Sequence, residues 1–196
     1  MALYLHPAQL LLVVLLVACF GSFTWAVRNF FVQPESLTVG LKLTLLAGAV
    51  FALLHLVIIV TTPELAPLGV AIGAALYVLS LVVFWWAIRA NKVKPLSACF
   101  SQNEQLHLVQ HGPYRFVRHP FYCSYLLTWI AGAVGTMSPW LAVTAVIMFV
   151  LYLTAAVNEE NKFARSPLAS AYATYRDTTG RFFPKPLKLM AGRHSQ

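Results

Sequence analysis

The sequence is short of charge: 10% of its 196 residues are Asp, Glu, Lys or Arg, where a soluble domain carries about a quarter. That shortage excludes an ordinary water-soluble fold, because a chain that is 59% hydrophobic has too little polar surface to cover itself. Part of its solvent must be lipid. Acid is scarcer than base, with six Asp and Glu against fourteen Lys and Arg. The net charge of +8 does not point to nucleic acid. The bases sit between apolar runs and in the last forty or so residues, not along one face with aromatics between them. Basic flanks beside apolar runs follow the positive-inside bias and attract anionic headgroups, so membrane lipids are the expected partner.

Cysteine is scarce too. Cys19, Cys99 and Cys123 are too far apart for a zinc site or a redox pair and read as small buried apolar residues; no metal is expected. Leu16-Val17-Ala18-Cys19 has the form of a lipoprotein cleavage box, but no Lys or Arg precedes the run, as a signal peptide requires. The match is read as chance. There is no internal repeat, no low-complexity stretch and no G-x-G-x-x-G.

Long apolar runs are what the chain does have. They cover about Ala8 to Val27, Leu41 to Val60 and Leu65 to Ile88, each long enough to cross a ~30 Å hydrocarbon core as a helix. Trp25 with Arg28, and Trp85 and Trp86 with Arg89, mark interfaces. The first three runs contain almost no charge that would line an ion or substrate path; His55 is read as a helix-packing hydrogen bond. From Ala90 to Pro120 the chain is polar, basic and long enough to suspect a function. A short run from Phe121 to about Thr136, a tight linker and a run from Trp140 to about Val157 predict an antiparallel helical hairpin.

These features predict an all-α polytopic membrane helical bundle of about five transmembrane helices, the last two a hairpin, with a cytoplasmic C-terminal tail. One domain covers 1–196: three spans over 1–89, then loop, hairpin and tail over 90–196. Arg89, Lys92, Lys94, Arg115 and Arg118 load the third connection, whereas the second has only Glu64. The N-terminus is therefore expected outside, with the long loop and the tail sharing the cytoplasmic face. The compact size suggests a prokaryotic inner membrane.

Polar residues concentrate in three clusters. The first is Leu108-Val109, Gly112, Tyr114, Arg115 and Arg118-His119-Pro120-Phe121-Tyr122. Pro120 suits the first turn of a helix, which puts Arg118 and His119 at the mouth of the fourth span. Either Arg alone reads as a snorkelling anchor, but so many polar and aromatic residues within fifteen positions exceed that reading. The second cluster is Glu159-Glu160, just after the fifth apolar run. Carboxylates at a helix C-terminus oppose its dipole, so a fixed cationic partner is expected. The third is Tyr172, Tyr175 and Arg181 in the tail, where Arg181 suits a carboxylate or a lipid phosphate.

In order and spacing, Leu108-Val109, Gly112-x-Tyr114, Arg118-His119-Pro120-x-Tyr122, Glu159-Glu160-x-x-Phe163, Tyr172-x-x-Tyr175 and Gly180-Arg181-x-x-Pro184 resemble the isoprenylcysteine carboxyl methyltransferase family. That family, with its bacterial and archaeal relatives, is similar to the phospholipid N-methyltransferases. The resemblance covers about the last eighty residues and departs from the pattern at Leu106, Ser124 and Leu168-Ala169. It implies an S-adenosyl-L-methionine-dependent methyltransferase acting on a lipophilic small-molecule or lipidated substrate. It also implies cofactor binding by Leu108, Val109, Gly112, Tyr114, His119, Pro120, Tyr122 and Glu159, with Glu160, Arg181 and Arg118 at the reacting centre.

The chemistry of the residues agrees. Methyl transfer from a sulfonium needs alignment, exclusion of water and a deprotonated nucleophile. A zwitterionic cofactor with a cationic sulfur wants carboxylates, a guanidinium and aromatic faces. The alternative is an NADPH-dependent membrane reductase of the sterol-reductase type, for which the chain has no spans to spare. A non-enzymatic membrane scaffold is the third reading. The acceptor stays open between a carboxylate, an amine and an apolar metabolite, and so does the oligomeric state.

Overall fold

The computed structural model describes residues 5–31, 38–91 and 108–185. Among them are α1 (Pro7–Asn29), α2 (Val39–Thr61), α3 (Pro67–Ala90), a 3-10 turn (Gly112–Arg115), α4 (Pro120–Thr136), α5 (Pro139–Ala164) and α6 (Ala169–Thr178). Cys99, Leu106 and most of the long polar loop lie outside the described residues. A proline opens α1, α3, α4 and α5, the position where a missing N–H leaves no hydrogen bond unmade.

The helices α1, α2, α3 and α5 are each long and apolar enough to cross a membrane. Their exposed faces carry Leu, Val, Ile and Phe, as surfaces solvated by lipid should. The protein is an all-α polytopic bundle. At 17 residues, α4 is about 25 Å long and falls short of a full crossing. It packs against all four long helices and is the most enclosed element, so it need not reach both surfaces. Met137, in the left-handed conformation at φ 54°, turns the chain tightly from α4 into α5, forming the expected hairpin.

The seam between α3 and α4 depends on missing side chains. A Cβ on Gly73 would lie 2.7 Å from the Gly135 Cα and 2.8 Å from the Ala131 oxygen, and one on Gly69 would lie 2.9 Å from the Val134 oxygen. These neighbours are backbone atoms and cannot swing aside. Small residues at membrane helix contacts let backbones approach and gain dispersion contacts. Polar bonds then fix the register. The Ser80 hydroxyl donates to the Ser124 carbonyl at 2.7 Å and pairs with the Thr128 hydroxyl at 2.8 Å. His55 is fully buried and pairs with Thr144 of α5 at 2.9 Å, the helix-packing role expected of it. Cys19 is buried in mid-helix, its thiol on the Tyr77 carbonyl.

Candidate active site

The apolar stretch of α5 ends at Val157, but its helix continues through Ala164. Glu159 and Glu160, expected at a helix C-terminus, therefore lie inside the last two turns of α5. The backbone hydrogen bonds of those turns outweigh the low hydropathy that ended the run. At the same end, His119 precedes Pro120 at the start of α4.

The tail closes the arrangement. The Arg118 N–H donates to the Gly180 carbonyl at 2.8 Å and the His119 N–H to the Arg181 carbonyl at 3.2 Å. This parallel backbone pairing, centred on Val117 and Gly180, sets Arg181 beside Arg118 and His119. Gly180 has no room for a side chain, since a Cβ there would overlap the Phe183 carbonyl.

Glu160 is the hub. Its Oε1 accepts from Arg118 Nη2 at 2.9 Å and Nε at 3.2 Å, and from Arg181 Nε at 2.8 Å. Its Oε2 accepts from Arg181 Nη2 at 2.7 Å, so Arg181 grips the carboxylate with two parallel bonds, the strong geometry for this pair. Arg118 also donates through Nη1 to the Thr179 and Arg176 carbonyls. The side chains of Arg118 and Glu160 are 7% and 10% exposed, that of Arg181 33%. The cationic partner expected for the acids is thus a pair of guanidiniums.

His119 lies between the two acids, its Nε2 3.1 Å from Glu160 and its Nδ1 3.5 Å from Glu159. Tyr122 donates its hydroxyl to Glu159 at 2.6 Å and stacks on His119 and Tyr152, with ring centroids 5.5 and 5.4 Å apart. Burial acts to raise the Glu160 carboxyl, but the hydrogen bonds from His119, Arg181 and Arg118 outweigh it and hold the group well below the usual carboxylate range. Burial likewise disfavours the charged form of His119, yet Glu159 and Glu160 raise it overall. The Glu160 bond raises Arg181, with burial opposing.

The remaining candidates form the wall behind this cluster. Tyr114 is buried; its hydroxyl accepts from Asn91 at 2.9 Å and its carbonyl accepts the Tyr175 hydroxyl at 2.7 Å, tying α3 and α6 together. Val109 packs with Tyr114, Phe84 and Phe121, Leu108 is half-buried and Pro120 buried. Gly112 takes φ +61° against Ala90 and Trp86, where a side chain would be strained. Tyr172 stacks on Phe163 at 4.9 Å.

Sequence reasoning missed Asn91, which is 2% exposed and holds the Tyr114 hydroxyl. A lone Asn at the end of an apolar run looks like a helix stop. Thr179 also escaped notice, because it acts through its carbonyl.

A family model described as phospholipid methyltransferase matches residues 68–169, just over half of the chain. The match takes in α3, α4, α5, His119, Glu159 and Glu160, and leaves α1, α2 and Arg181 outside. No curated protein matches the sequence.

Proposed function

The chain belongs to the phospholipid methyltransferase family and is a membrane methyltransferase, and on that premise we propose that it methylates a lipophilic acceptor using S-adenosyl-L-methionine at the α4–α5 end. The observation that carries this reading is the Arg118–Glu160–Arg181 cluster, with Glu159, His119 and Tyr122 beside it. We place that end on the cytoplasmic face. Arg28, Arg89 and Lys162 occupy the last turns of α1, α3 and α5, all at this end, as the positive-inside bias favours.

The residues fit the proposed cofactor. Arg181 is a third exposed, and its Nη1 bonds to nothing among the described residues, so it can take a carboxylate. The Glu159 side chain is 31% exposed, the more accessible acid, and suits an ammonium group. The stacked His119 and Tyr122 rings offer aromatic faces to a cationic sulfur. When bound, the cofactor supplies an electrophilic methyl group.

The chain's own residues do the rest. Arg118, held by Glu160 and two tail carbonyls, acts as a positioning residue: it fixes Glu160, which aims Arg181. His119, held between two carboxylates that favour its charged form, fixes the two acids in place; an amine acceptor needs a carboxylate as its base, whereas a carboxylate acceptor has no proton to lose. Burial of the cluster among Tyr122, Tyr152 and Phe182 limits water, so the methyl group meets the acceptor before it meets solvent. Nothing in the family match favours the NADPH reductase.

Titration of the detergent-purified protein with S-adenosylhomocysteine tests the reading. The wild type should bind, and Glu159→Gln should weaken binding by about tenfold, the scale of one charge-assisted hydrogen bond. A folded wild type that binds NADPH and not S-adenosylhomocysteine would sink the proposal.

A further inference from the structure

Between α1 and α2 runs an open groove of about 610 Å³. Its α1 wall extends from Leu16 to Asn29, about 20 Å at helical rise. That is somewhat more than half of a ~30 Å hydrocarbon core, the depth reached by a chain of one leaflet. The walls are apolar except at one end, where Arg28 lies beside the interfacial Trp25. Among the described residues no carboxylate pairs with Arg28. It is exposed, so among the described residues its cation stands without a carboxylate, at one end of an apolar slot. The complementary ligand is a lipid whose phosphate meets Arg28 and whose chain lies in the groove.

The groove also adjoins the candidate active site. Phe20 and Ala52 line it, and on their other sides both pack on the cluster of Tyr122, Trp129 and Tyr152. Phe20 meets Trp129 with centroids 5.2 Å apart, and Tyr122 bonds Glu159. At the headgroup end, Phe31 of the α1 terminus contacts Phe121 at 5.2 Å, so Arg28 and the first turn of α4 share a level. Gly21 keeps the slot open: a Cβ there would meet nothing within 4 Å.

We propose that this α1–α2 groove holds the acyl chain of the phosphate-bearing lipid that accepts the methyl group, with the phosphate on Arg28. The proposal rests on the methyltransferase reading and adds where the acceptor sits. The groove residues lie outside the segment that matches the family. The matched part and the tail thus supply the chemistry, and α1 and α2 choose the acceptor.

The test uses the full chain in phosphatidylcholine nanodiscs containing phosphatidylethanolamine with a photoreactive group on its acyl chain. Adducts should concentrate on Phe20, Thr24 and Leu53. Gly21→Leu enters the slot from a position where a Cβ meets no protein atom and should lower them by about tenfold; Arg28→Gln should lower them by about threefold. Methyl label entering the lipid fraction should fall in parallel, while S-adenosylhomocysteine binding by Gly21→Leu stays as in the wild type. Adducts spread evenly over the lipid-facing helices, or unchanged in Gly21→Leu, overturn the groove. A groove that labels while Gly21→Leu leaves methyl incorporation unchanged overturns it as well, since the occupant is then a resident lipid. A wild type that labels the groove but binds no S-adenosylhomocysteine overturns the cofactor reading and leaves the groove standing.

Discussion

The α3–α4 seam and the cluster at the end of α5 are both tightly packed, and opposite means hold them. The seam works by subtraction: Gly69, Gly73 and Gly135 let backbones touch, and where lipid is as apolar as the helix surface, close contact is the available attraction. The cluster works by addition, gathering two guanidiniums, two carboxylates and an imidazole within bonding distance. Packed backbone gives the seam no freedom. The cluster keeps some, because Arg181 and Glu159 are each about a third exposed. A site that must exchange internal partners for a ligand needs that latitude, and a scaffold does not.

The sharpest way to break the comparison is Gly73→Leu. Overpacking costs ~1–3 kcal/mol where side chains can adjust, and here the obstacles are backbone atoms. Little monodisperse protein should survive detergent extraction; a well-folded variant by size-exclusion chromatography would show the seam to be looser than described.

Glu160→Gln should come next. It leaves the nearly buried Arg118 without its counter-charge, at the low end of ~3–5 kcal/mol because Arg181 can turn to solvent. Turnover should drop by about 100-fold, with the melting temperature lowered but the protein still folded. Unaltered turnover would remove the cluster from the mechanism. Gly180→Ala should be milder. Its Cβ overlaps the Phe183 carbonyl, so the tail shifts and Arg181 with it. Activity should fall by about tenfold, with unchanged helix content by circular dichroism and an unchanged seam.

The smallest effect is on pH. Glu160 titrates below its ordinary value of 4.5 when folded, so its stabilisation is complete above that value and fades as pH falls through the folded one. His119 titrates above its ordinary 6.5, so its contribution is complete below 6.5 and is lost as pH rises through the folded value. Melting temperature should therefore be highest between about 4.5 and 6.5, with a shallow decline on the alkaline side that His119→Gln abolishes. The three seam glycines carry no titrating group, and the milder Gly69→Ala should keep the wild-type pH dependence.

Most of this contrast was legible in the sequence on the charged side and little of it on the apolar side. Arg118, His119, Glu159, Glu160 and Arg181 stand out because charge is rare in this chain, and acids at the end of a helix demand a cationic partner. Which cation meets which acid was not legible, since it depends on the pairing of Val117 with Gly180 across more than sixty positions. Gly69 and Gly73 passed unnoticed because a glycine in an apolar run contributes to hydropathy like its neighbours. Their role appears only once α4 lies against them. Tyr114 shows a third case: its motif marked it as important, and its burial with Asn91 and Tyr175 shows support behind the cluster.

The pairing between residues 117–119 and 180–181 also sets a timetable for biogenesis. Chain synthesis makes Glu160 before Gly180 and Arg181 exist, so the carboxylate precedes its bidentate partner. The cluster closes as a separate, later event, when the last stretch of tail folds back onto the mouth of α4. A chain ending before Gly180 would have all the apolar helices and an open Glu160 cluster.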